Sequence, residues 1–184
     1  MRTVAPPVAT HAYRAGALAF LLATAAILTA LAFEYIGGYN PCPLCLQQRY
    51  AYYIAIPTLF LALILYTAGR QSTAALVFLL ISFAFVANAI LGIYHSGAEW
   101  KFWPGPDTCA GTAAPLASSP GGLLKSLPTT RIIRCDEAPW RLFGLSFAGW
   151  NVVISICLWI TALQAAYAAA SDARLREAEK SPLA

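Results

Sequence analysis

Residues 73–95 read TAALVFLLISFAFVANAILGIYH, a run without a single charged side chain. Hydrocarbon about 30 Å thick is crossed by roughly 20 residues of α-helix. The stretch from Thr73 to His95 is therefore long enough to span a bilayer. Working outward, three more apolar stretches meet the same test, near Ala15–Tyr35 and Tyr50–Ala68 before it and near Gly144–Ala170 after it. Within these spans the sole charge is Glu34, at the end of the first. Irregular backbone at membrane depth would leave its polar groups unpaired, so each span reads as a helix. The short links 36–49 and 69–72 force antiparallel neighbours. The predicted fold class is an all-α membrane protein: one membrane domain over residues 1–184, a four-helix transmembrane bundle with spans about 15–35, 50–68, 73–95 and 144–170. Pro57, inside the second span, reads as a packing kink.

Composition agrees. The chain is 59% hydrophobic and 11% charged, with mean hydropathy +0.63, whereas a soluble domain carries roughly 25% charged residues. The net charge of +4 comes without a basic run interleaved with aromatics, which excludes nucleic acid as a partner. The first apolar stretch exceeds the usual core of a secretory signal and no small-x-small cleavage site follows it, so it reads as a retained helix. No lipid-anchor signal is evident.

The third connection, 96–143, is long and punctuated by Pro104, Gly105, Pro106, Gly111, Pro115, Pro120, Gly121, Gly122, Pro128 and Pro139. Loops of this length without regular elements are usually functional or disordered. Leu123, Leu124 and Leu127 share one helical face, which suits a short helix on the membrane surface. Trp100, Phe102, Trp103 and Trp140 flank the spans where interfacial aromatics belong.

Basic residues do not orient the bundle. Arg2, Arg14, Arg70, Arg174, Arg176 and Lys180 lie on the side of the termini; Arg49, Lys101, Lys125, Arg131, Arg134 and Arg141 lie on the other. The cysteines break this tie. Cys42, Cys45, Cys109 and Cys135 all fall in the connections 36–49 and 96–143, which share one face. Thiols gathered this way suggest disulfide chemistry, which persists in oxidising compartments. The termini are accordingly expected in the cytoplasm and the cysteine loops outside it.

Cys42-Pro43-Leu44-Cys45 is a C-x-x-C motif immediately before a helix. The positive end of that helix should favour a thiolate. Arg49, one turn on, should add a fixed positive charge beside it. Half of a zinc site is the competing reading of such a pair, but structural zinc pairs normally come at close spacing, and Cys109 and Cys135 do not form a second C-x-x-C. No metal is expected. Cys109 and Cys135 enclose a 25-residue segment; as a structural crosslink the pair would contribute about 3.5 kcal/mol by loop entropy. A loop rich in proline and glycine offers little core for a staple to hold, and an accessible disulfide is open to thiol exchange, so the exchange role is preferred. Cys157, mid-span, reads as a small hydrophobe without a redox role. His95, ending the third span, is a candidate to hydrogen-bond a ligand at the interface, with an ordinary polar helix end as the alternative.

Cys42-Pro43-Leu44-Cys45-Leu46-Gln47-Gln48-Arg49 after a first span resembles the disulfide bond formation protein B (DsbB) family. So do Tyr94-His95 ending the third span, Trp103-Pro104-Gly105-Pro106 ahead of Cys109, and Cys135-Asp136 followed by Trp140 and Gly144-Leu145-Ser146. The resemblance covers about Ala15 to Ala170. It implies an enzyme of the bacterial inner membrane that reoxidises a periplasmic thioredoxin-fold thiol oxidase (DsbA-like) and passes the electrons to ubiquinone or menaquinone. By similarity the partner's thiolate attacks Cys109, Cys135 leaves and pairs transiently with Cys42, and Cys45 faces a quinone held near Arg49, with His95 a further cofactor contact. The family often carries an acidic residue directly before the arginine. Here Gln48 stands in its place and leaves Arg49 without that neighbouring carboxylate, and Pro43 stiffens the active loop.

Two other readings compete. In vitamin K epoxide reductase-like proteins, also helical bundles coupling cysteines to a quinone, the loop pair comes early and the C-x-x-C late, the reverse of the order here. A membrane scaffold with two structural disulfides would show stable disulfides and no quinone turnover.

Overall fold

The computed structural model describes residues 10–106 and 135–180. Cys109 and the expected surface helix at Leu123, Leu124 and Leu127 lie outside the described residues. Four helices carry the fold: α1 (His11–Tyr35), α2 (Pro43–Thr67), α3 (Gln71–Glu99) and α4 (Phe147–Lys180). All are long and apolar enough to cross a membrane. Between α3 and α4 lies a small hairpin, β1 (Arg141–Leu142) and β2 (Leu145–Ser146). Its register pairs Arg141 with Ser146 and Leu142 with Leu145. The two turn residues, Phe143 (φ 53°) and Gly144 (φ 81°), both take positive φ, the backbone that closes a two-residue hairpin without splaying its strands.

Helix boundaries depart from the sequence reading for identifiable reasons. α2 begins at Pro43 rather than near Tyr50, because extended Cys42 caps it and proline stands at the first helical position, where its missing N–H is no loss. Cys45 and Arg49 therefore sit on the first two turns of a helix and not in a loop. The helix runs unbroken through Pro57. α3 continues to Glu99, and there Trp103 folds back so closely that a Cβ on Gly97 would lie 1.9 Å from its ring. α4 starts at Phe147, after the hairpin has taken up Gly144–Ser146.

The bundle packs through small residues. Ala12, Ala15, Ala19 and Ala23 of α1 and Ala162, Ala165, Ala166 and Ala169 of α4 are buried in one core with Leu59, Phe78, Phe85 and Leu158. Small side chains let helix backbones approach closely where lipid tails are as apolar as the core. The outward faces are apolar instead: Leu21, Ile54 and Phe83 are each more than 60% exposed. A water-soluble protein rarely presents so much contiguous apolar surface, so these faces belong against lipid. Cys157 is among the outward residues, on a face that belongs against lipid. At the end of the bundle that holds the termini, the Tyr66 hydroxyl meets Thr10 Oγ1 at 2.7 Å and Asp172 Oδ2 at 2.5 Å, tying α1, α2 and α4 together.

Candidate functional site

At the other end, the C-terminal ends of α1 and α3 meet the N-terminal ends of α2 and α4. Cys42 is the N-cap of α2, and its Sγ accepts the backbone N–H of Cys45 at 3.1 Å. The Cys45 thiol donates to the same sulfur across 2.7 Å. His95, reaching over from α3, places Nε2 3.6 Å from it. Cys42 is 5% exposed, and burial alone would push its thiol up. The hydrogen bond from Cys45 is the largest influence, His95 adds to it, and together they bring the pKa from 9.0 down to about 5. At neutral pH the pair's first negative charge thus rests on Cys42.

Arg49 lies on the second turn of α2. Its guanidinium bonds the Glu34 carboxylate at the end of α1 and reaches the Ala30 carbonyl at 3.4 Å. The carboxylate missing beside Arg49 in sequence is thus supplied across the helix pair. Gln48 turns inward, 5% exposed, and its amide lies 3.0 Å from His95 Nδ1. When Gln48 Nε2 donates there, the ring hydrogen sits on Nε2 and points toward Cys42. His95 is 1% exposed. It is a buried partner of sulfur, rather than the polar helix end that was the alternative reading.

Cys135 is disulfide-bonded and 1% exposed, packed with Cys42 and Leu44. Cys42, His95 and Cys135 bring their ligand atoms within 4.8 Å of one another. Three such groups could hold a soft metal ion only as thiolates and imidazole. With Cys135 in a disulfide, the arrangement instead sets a thiolate beside a sulfur it can attack. Of the six residues singled out in the sequence, Cys42, Cys45, Arg49, His95 and Cys135 converge here; Cys109 lies outside the described residues.

A cavity of about 1030 Å³ opens beside these sulfurs, between α1, the start of α2 and the start of α4. Cys42, Cys45, Arg49 and His95 line it, as do Phe33, Trp140, Phe147 and Ile154. The Trp140 and Phe147 rings stack at 4.9 Å with 19° between their planes, and Phe33 lies 5.1 Å from Trp140. Deeper in the bundle the Tyr52 hydroxyl donates to Asn151 Oδ1 at 2.7 Å, and Asn88 Nδ2 donates to Ser155 at 3.0 Å. The sequence reading missed Glu34 and Glu99 as site residues. Polar groups within a membrane span are functional candidates by default. Glu34 carried that signal as the one charge in its span; Glu99 lies four residues after His95, on the same helical face.

The family model for disulfide bond formation protein DsbB matches residues 13–165. A disulfide bond formation protein B of Methylococcus capsulatus is 30% identical over 74% of this chain and 82% of its own length. One from Hahella chejuensis is 29% identical over 76% and 84%. An uncharacterized protein of Rickettsia prowazekii is 28% identical over 73% and 76%. No solved structure matches the chain.

Proposed function

The chain belongs to the disulfide bond formation protein DsbB family, and from that premise we propose that it is a membrane thiol:quinone oxidoreductase. It reoxidises a periplasmic thioredoxin-fold thiol oxidase (DsbA-like) and passes the electrons to ubiquinone or menaquinone. On this reading it is a multi-pass protein of the bacterial inner membrane, with both termini cytoplasmic and its cysteine segments periplasmic. The observation that carries the reading is the approach of Cys42 Sγ to within 4.8 Å of Cys135 Sγ at the mouth of an apolar cavity.

The residues present suit a quinone. The cavity is of the size that holds a small-molecule cofactor. Phe33, Trp140 and Phe147 give it flat aromatic walls, and Arg49 and His95 stand among its polar lining. A quinone bound there supplies a two-electron, two-proton acceptor. The chain's own groups do the rest. The partner's thiolate attacks Cys109, breaking its bond to Cys135; Cys135 leaves as a thiolate and forms a new bond with Cys42, which releases Cys45 as the second leaving sulfur. Cys45 then holds the electron pair at the cavity wall. The partner's second thiol then closes the partner's own disulfide and frees Cys109, which attacks Cys135 and displaces Cys42. The Cys42/Cys45 dithiol that remains, with Cys42 a thiolate at neutral pH, would close to a disulfide as its two electrons pass to a bound quinone. His95 and the start of α2 meet the negative charge once Cys42 is released as a thiolate.

The test is oxidation of a reduced thioredoxin-like donor by the purified protein with a quinone. Cys45→Ala is expected to abolish quinone reduction, and Cys109→Ala to abolish attack by the donor. Full activity in both variants overturns the assignment of roles. Thiol labelling separates this enzyme from a scaffold, whose labelled cysteines stay unchanged when reduced donor is added.

A further inference from the structure

Glu99 has no part in the reading above, yet it is 7% exposed and lines the same cavity. A carboxylate in so closed a place needs partners. Its Oε2 accepts from Ser146 Oγ of β2. Ser146 Oγ in turn accepts the backbone N–H of Gly149 at 3.2 Å, so the serine's one hydrogen is committed to Glu99. Its Oε1 lies 3.8 Å from His95 Nε2, the nitrogen that faces Cys42 Sγ at 3.6 Å. Gln48 occupies the other ring nitrogen at 3.0 Å. The imidazole thus has an amide hydrogen-bonded at Nδ1 and, around Nε2, the Cys42 sulfur with a serine-anchored carboxylate 3.8 Å away.

We propose that Glu99 is a positioning residue that acts through His95, keeping a hydrogen on Nε2 directed at the Cys42 sulfur. This rests on the reading that the Cys42/Cys45 dithiol delivers electrons to a quinone. Two opposing effects follow from the same carboxylate. As a nearby negative charge it repels the thiolate directly. As a carboxylate 3.8 Å from Nε2 it polarises the ring and favours hydrogen on that nitrogen, which strengthens the donor that the thiolate faces. The second effect dominates, because His95 acts on Glu99 more strongly than Cys42 does. Among the described residues, the charged or titratable groups near His95 and Glu99 include Cys42 and Cys45 on α2, Arg141 on β1, which acts electrostatically on Glu99, and Glu137, which lines the same cavity; Cys135 is locked in its disulfide.

Because the two effects have opposite signs, one titration decides between them. Ultraviolet thiolate absorbance is followed against pH in the full-length protein with Cys42 and Cys45 reduced and the Cys135 disulfide intact, the state the structure holds, without quinone. Glu99→Gln, which keeps the shape and can still accept from Ser146, is expected to move the Cys42 midpoint upward by about one pH unit. Ser146→Ala, which leaves the carboxylate but frees it to turn, should move it the same way by less. Glu99→Asp should fall between wild type and Glu99→Gln. In a His95→Ala background the upward shift should vanish. A midpoint that stays put or moves downward in Glu99→Gln overturns the proposal, as does an upward shift that survives without His95. Failure of the wild type to reduce any quinone would remove the functional reading instead, and it is read in a separate assay.

Discussion

The side-chain amide of Gln48 meets Nδ1 of His95 at 3.0 Å, which makes a residue of α2 the orienting partner of an imidazole on α3. That contact fixes which ring nitrogen faces Cys42. Gln48→Leu, similar in size but unable to hydrogen-bond, should let the ring turn and weaken its hold on the sulfur. A neutral hydrogen bond is worth about 1 kcal/mol and one pH unit about 1.4 kcal/mol, so the Cys42 midpoint should rise by somewhat less than a unit. Thiolate absorbance in the reduced protein checks it, and an unchanged midpoint would show that Gln48 merely fills space.

The pH dependence of the reduced protein follows from Cys42 itself. Folding lowers its pKa from 9.0 to about 5. A depressed pKa means that the folded state binds its proton less tightly than the unfolded chain does. The resulting stabilisation is complete above about 9 and declines as pH falls toward 5. Below about 5 it is gone. Denaturant unfolding of the reduced protein in detergent should therefore show stability lost progressively across that window. The oxidised protein, with Cys42 in a disulfide, should lose much less. Equal pH profiles for the two forms would contradict a thiolate at Cys42.

Much of this architecture was legible before any coordinates. The apolar runs are long and nearly free of charge, and lipid leaves helices as the economical answer, so the four spans could be read directly. Cys42, Cys45 and Arg49 were legible because they are contiguous. What could not be read is what depends on helix rotation. Whether Arg49 faces its cysteines or Glu34 is decided by how α1 packs against α2, and nothing local in the sequence encodes it. Gln48 looked like the loss of a carboxylate; only the packing of α3 turns it into the partner of His95. The fourth helix was begun too early because Gly144 continues the apolar run, and the positive φ that ends the hairpin there is a property of the turn.

The Glu34–Arg49 pair gives a prediction that needs two substitutions. Both side chains are mostly buried, 20% and 12% exposed respectively, so removing either leaves the other charge mostly buried and without this partner. Each single change, Glu34→Gln or Arg49→Ala, should raise the KM for quinone several-fold. The double variant should be impaired less than the sum of the two, with a coupling of about 1–2 kcal/mol. Quinone titrations of the four proteins measure it. Strict additivity would mean that the two residues contact the acceptor independently.

Gly97 offers the sharpest steric test. A Cβ there would lie 1.9 Å from Cζ2 of Trp103, well inside any tolerable contact. The indole is held by two further ties, Nε1 donating to the Tyr94 carbonyl at 2.9 Å and its ring stacked on Tyr94 at 6.0 Å. Gly97→Ala therefore cannot be absorbed by a small rotation; the indole has to leave its seat or the end of α3 has to shift. Overpacking of this kind costs typically 1–3 kcal/mol. Because Trp103 is 38% exposed at the interface, the easier route is for the ring to swing outward. Gly97→Ala should then lower thermal stability only modestly, while tryptophan fluorescence shifts to the red as the indole loses Tyr94. The pairing of Trp103 with Tyr94 lies on the same terminal turns of α3 that carry His95, so the Cys42 titration should broaden in this variant. If fluorescence and titration both match the wild type, the seat of Trp103 on Gly97 has no bearing on the site.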